Sequence, residues 1–139
     1  MILVIMALVI GCFNAAFIVP DLIYASQGST CVTTIPDGFS FTLGTWLEVD
    51  AYTRISIVAL FLLVALASCC SESAAAKGLL IALCILVFYS LFAMSWTIVG
   101  SVMFWGKLNP AGVCTGPVQA YVYHHLCGSL LQLPLQCQI

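Results

Sequence analysis

Two adjacent histidines, His124 and His125, an aspartate and an arginine four residues apart, Asp50 and Arg54, and eight cysteines are the residues of this 139-residue chain that could do chemistry. Imidazoles and thiolates bind transition metals, but the spacing argues against that chemistry here. Adjacent residues on a helix point about 100° apart, so His124 and His125 share no chelating face. His124 could flank a ligand with Cys127 or Gly128, but one or two such groups do not make a metal or haem site. No CxxC pair or Cys/His spacing signals zinc. No glycine-rich phosphate loop, nucleophile elbow or metalloprotease pattern is present. The expectation is therefore a non-enzyme with no cofactor and no metal. Asp50 and Arg54 lie on one helical face and can pair. A sharper alternative puts them, with His124 and His125, along a water-filled path. Asn14 reads most simply as an interhelical hydrogen-bond donor.

The medium around these residues follows from composition. Of the side chains 63% are apolar and 6% charged, with mean hydropathy +1.19. Soluble domains carry about a quarter charged residues, so the expected solvent is lipid. A net charge of −2 offers no footprint for nucleic acid. The basic residues are Arg54, Lys77 and Lys107, too few and too scattered for a polybasic headgroup patch.

A helical span takes roughly 20 apolar residues. Residues 1–19 are uncharged and are expected to stop at Pro20-Asp21. They lack the basic start of a secretory signal, and their apolar run exceeds the usual length of one. A second helix is expected over 45–70, a third over 78–105 and a weaker fourth over 117–136, whose alternative is an interfacial helix. The resulting expectation is an all-α, polytopic membrane protein: one four-helix domain over 1–139, with loops 20–44 and 106–116 capping one side. Both termini then share the other side, expected to be cytoplasmic, in a plasma membrane or endomembrane. Thr45 and Glu48 fit a capping box opening the second helix. Asp21, Asp37, Glu48 and Asp50 concentrate acid at the first loop and the helix start after it. Trp105, Phe104 and Lys107 mark a membrane–water interface, as do Tyr121 and Tyr123, and Pro134 kinks or ends the fourth helix.

Among the cysteines, Cys31 and Cys114 are the two in the long loops of one side. They are expected to form a disulfide if that side is oxidising, two buried thiols being the alternative. Cys69 and Cys70, at the opposite membrane face, are candidates for palmitoylation or simply small packing residues. Helices in lipid associate through small residues. The expected seams are Ala7, Gly11 and Ala15 on the first helix and Ser90, Ala93, Thr97 and Gly100 on the third. Trp96 lies one turn before Gly100, as though a ring fills space beside the glycine or covers a partner helix.

Trp96-Thr97-Ile98-Val99-Gly100 with Val102, then Pro110, Cys114 and Tyr121, resembles the transmembrane protein 272-like family. Cys31 followed by Trp46-Leu47-Glu48-Val49 is similar to that family's loop cysteine and second-helix start. The chain departs from the family's uncharged second-helix start at Glu48, Asp50 and Arg54. The resemblance implies four helices and no assigned enzyme activity. The expected role is lateral association with membrane lipid and other transmembrane helices, as a homo-oligomer or a small subunit of a larger assembly. A channel or transporter subunit is the alternative.

Overall fold

The computed structural model describes residues 2–136 and is all-helical over them; Met1 and residues 137–139 lie outside it. Helix α1 spans Ile2–Ser26, the short α2 Thr30–Thr33, α3 Leu43–Ser68, α4 Glu72–Met103 and α5 Gly116–Gln136. A π-helical turn, Phe104–Leu108, continues α4. Three stretches, Ile2–Ser26, Leu43–Ser68 and Glu72–Leu108, are long and apolar enough to cross a membrane.

The helix ends depart from the sequence expectations, through tertiary contacts at α1 and α3 and through a local cap at α4. Helix α1 does not stop at Pro20 but runs through it to Ser26. Proline removes one intrahelical bond, which neighbouring helices can make good. Here the residues beyond it are held from α5: Tyr24 stacks on Tyr121 at 4.7 Å, and Asp21 accepts a hydrogen bond from the Tyr121 hydroxyl. At the start of α3 the cap is Thr42, whose hydroxyl accepts from Thr45 N–H at 3.1 Å, while Thr45 and Glu48 are exposed. Burial of Leu43 and Gly44 beneath the preceding loop draws the helix start back from the expected box. Helix α4 begins six residues early because Ser71 caps it, accepting from Ala74 N–H, and an alanine run of high helix propensity follows. Helix α5 continues past Pro134 to Gln136.

The loops after α1 and after the π-helical turn meet at one end of the molecule. Cys31 and Cys114 form a disulfide there, and Thr30 donates to the Val113 carbonyl at 3.0 Å. Beneath this joint lies one apolar core, which includes Leu43, Trp46, Leu47, Phe104, Val122 and Leu126. A second core near the opposite end contains Leu3, Ala7, Ile57, Phe61, Ala65 and Ala82. Along α3 the two cores are separated by the stretch that carries Asp50 and Arg54. Phe104, the first residue of the π-helical turn, is wholly buried in the first core, packed with Met103 and Leu108, rather than marking an interface.

The glycine beside Trp96 proves to serve a different ring. Gly100 faces Trp46 of α3, and a Cβ there would fall inside the surface of that indole. The two tryptophans form a reciprocal clasp. Trp46 Nε1 donates to the Trp96 carbonyl at 2.8 Å, and Trp96 Nε1 donates to the Trp46 carbonyl at 3.1 Å. Of the expected seam residues, Ala7, Thr97 and Gly100 are buried, and Gly11, Ser90, Ala93 and Trp96 are half-buried. Ala15 is exposed, contrary to expectation. The inward face of α1 instead repeats every seven residues through Ala7, Asn14 and Asp21, so Ala15 falls about 100° outside it.

Candidate functional site

Between the two apolar cores, α1, α3 and α5 direct polar side chains at one another. Helix α1 supplies Asn14 and Asp21 from its heptad face. Helix α3 supplies Asp50 and Arg54, one turn apart on its buried stripe. On α5 the buried stripe is Val118, Val122, His125 and Leu126, so His125 points inward and His124 outward.

The Asp50–Arg54 pair forms, with Arg54 Nε donating to Asp50 Oδ2 at 2.7 Å. It lies inside the fold and not at an exposed helix start: Asp50 is 7% and Arg54 6% accessible. Arg54 Nη1 also donates to Asn14 Oδ1 at 3.1 Å, and its guanidinium lies 4.6 Å from the centre of the Phe17 ring. Asn14 therefore accepts across the helix interface, while its own amide donates within α1 to the Ile10 carbonyl at 2.8 Å. Asp21, expected in a loop, is fully buried; its Oδ1 accepts from the Tyr121 hydroxyl at 2.6 Å. Tyr121 is accordingly half-buried inside the fold and not an interfacial ring.

His125 completes the group. Its Nε2 stands 3.3 Å from Asp21 Oδ1 and 3.3 Å from Asp50 Oδ2. Neither ring nitrogen makes a hydrogen bond of sound geometry, and Asp21 Oδ2 is likewise buried without a partner. The rings of Phe17, Trp46 and Tyr121 surround the imidazole at 5.3, 5.4 and 5.7 Å. A charged group in such surroundings is costly unless it is paired. Two carboxylates and one guanidinium leave a single negative charge, which the imidazole faces.

A cavity of about 260 Å³ reaches this cluster from the side, touching Asn14, Asp50 and Arg54, with Tyr89, Thr97 and Ser129 among its other polar neighbours. His124 is exposed against Tyr123 and joins neither the cluster nor this cavity. Cys69 and Cys70 are free and exposed at the turn joining α3 to α4. Cys12 and Cys84 are also free and exposed, and Cys127 is free and half-buried.

The key omission in the sequence reading is Asp21, which follows Pro20 and so reads as a loop residue. Its seven-residue spacing from Asn14 and Ala7 was the available signal. Comparison with protein-family models, curated proteins and solved structures finds no match to this chain.

Proposed function

We propose that this chain is a non-catalytic, multi-pass membrane protein that works by lateral association, as a homo-oligomer or as a small subunit beside other transmembrane helices. In this reading α5 is the fourth span, the disulfide-joined loops lie on the outer side of a plasma membrane or endomembrane, and both termini are cytoplasmic. The carrying observation is an inverted surface. Asp21, Asp50, Arg54 and His125 turn inward, while α4 exposes Leu80 at 65%, Val87 at 59%, Phe88 at 74% and Leu91 at 57%. An apolar face of that extent is stable against lipid tails or another apolar helix and unstable against water. Alongside it a groove between α3 and α4, lined by Leu60, Leu80, Cys84, Phe88 and Phe92, offers a shape that another helix's side chains could fill. In that topology the exposed Cys69 and Cys70 stand at the cytoplasmic face, where acylation would reinforce anchoring.

The test is the mass and composition of the assembly in mild detergent. A single species larger than one chain, or constant co-purification with another membrane protein, supports the reading. A Cys84→Trp variant, filling the groove, is expected to lose that association while keeping its helicity. A strictly monomeric wild-type chain refutes it.

One observation favours a second reading, a channel or transporter subunit: the cavity that reaches Asn14, Asp50 and Arg54. Ion or solute flux in proteoliposomes that changes on Arg54→Ala, with assembly intact, would support transport over association.

A further inference from the structure

We propose that Asp21, Asp50 and His125 form a binding site for one divalent transition-metal ion of the zinc type, joining α1, α3 and α5. One ligand atom from each residue lies within 4.8 Å of the others, and all three residues are buried. The second, independent observation is the state of His125, itself 3% accessible: its Nε2 faces both carboxylates yet makes no hydrogen bond of its own.

The gap between these three groups has the dimensions of an ion site. A bare imidazole nitrogen facing two carboxylate oxygens would set lone pairs against lone pairs, so a positive species belongs between them. A proton on Nε2 directed at one oxygen would draw it to the short distance of a charge-assisted bond, about 2.7–2.9 Å, whereas one shared by two oxygens, or an ion held by all three atoms, leaves both contacts longer. The two separations are equal at 3.3 Å. That is the edge of a tetrahedron whose ligands stand about 2.0–2.1 Å from its centre, the usual zinc–nitrogen and zinc–carboxylate distance. Asp21 Oδ2 is free to turn toward the fourth position, or a water can take it.

The surroundings match what metal sites require. Ligating carboxylates are commonly held by outer hydrogen bonds that fix their orientation. Tyr121 donates to Asp21 Oδ1, and Arg54 Nε to Asp50 Oδ2. With both carboxylates on a divalent ion the cluster carries one net positive charge, that of Arg54, which keeps its hydrogen bonds to Asp50 and Asn14 and its contact with the Phe17 ring. One nitrogen and two oxygens suit zinc and related ions. The cavity touching Asp50 supplies an approach. His124, exposed one residue away, takes no part and provides an internal control. The site lies within one chain and does not depend on lateral association.

The experiment uses the full chain in detergent, exposed to zinc, passed through gel filtration and assayed for bound metal, with cobalt substituted in parallel. The expected result is one zinc per chain, visible d–d absorption for the cobalt form, and a lower Tm after chelation. Asp21→Asn and His125→Gln are expected to lose the metal and the response of Tm to chelator, while His124→Ala keeps both. Should the ligand variants fail to fold, zinc stoichiometry and the cobalt spectrum of the wild-type chain decide alone. A wild-type chain with no stoichiometric metal and a Tm indifferent to chelator overturns the proposal, as does an Asp21→Asn variant that binds zinc as the wild type does.

Discussion

Replacing Arg54 by methionine keeps much of its volume and removes its charge, leaving Asp50 inside the fold without its closest partner. At the separations observed, 2.7 Å between Nε and Asp50 Oδ2 and 3.1 Å between Nη1 and Asn14 Oδ1, the interaction is direct and sheltered. Two unit charges 4 Å apart attract by about 4 kcal/mol at an effective dielectric of 20. Stranding one member of a buried pair typically costs about 3–5 kcal/mol. The contact with Phe17 adds about 0.5–2 kcal/mol to what arginine contributes. Arg54→Met is therefore expected to destabilise the chain by about 3–5 kcal/mol, and Asp50→Asn by a comparable amount. The double variant should cost much less than their sum, because neither charge is then left alone; a coupling of about 2–3 kcal/mol is expected. Reversible unfolding in mixed micelles, followed by circular dichroism and tryptophan fluorescence, measures all four corners of this cycle. If the two costs simply add, to within about 0.5 kcal/mol, the pair is not coupled and the description of the cluster is wrong.

Other perturbations address other parts of the fold. Gly100→Leu drives a side chain into the Trp46 indole and should destabilise by about 1–3 kcal/mol or more, with a changed tryptophan emission spectrum as its signature. Cys31→Ser should remove the difference in gel mobility between reduced and oxidised chain. It should also lower stability by about 2–4 kcal/mol, since the bridge joins residues 83 apart. Tyr121→Phe removes a donor to a buried carboxylate and should cost about 1.5–3 kcal/mol in the same unfolding assay.

Hydropathy summed over about 20 residues averages out local detail, which is why the three long apolar helices could be read from composition alone. Two of their ends could not, because contacts from elsewhere bear on them. Leu43 and Gly44 at the start of α3 lie beneath a loop, and the residues of α1 beyond Pro20 are held by Tyr121 from the far end of the chain. The disulfide was accessible to reasoning because two cysteines stood alone in loops that had to share a side. The pairing of Asp50 with Arg54 followed from helical spacing, yet their burial did not, since Asn14 and Phe17 that shelter them belong to another helix. Choosing between the two histidines required the buried stripe of α5, on which His125 continues the spacing of Val118 and Val122 and His124 does not. Gly100 does make room for an indole, but the ring is Trp46 of α3 and not Trp96, and a single helix cannot reveal which neighbour faces it.

The cluster also imposes an order on biosynthesis. Asp21 leaves the ribosome with the first helix, whereas the hydroxyl of Tyr121 that binds it follows 100 residues later. At synthesis rates of about 5–20 residues per second, that carboxylate waits roughly 5–20 seconds for its partner. Asn14 is matched sooner, because Arg54 follows it by only 40 residues. Until then the carboxylate lacks the hydrogen bond that the finished fold gives it. A chain cut short before α5 would carry its unmatched acid permanently, a chemical mark by which membrane quality control could recognise an unfinished molecule.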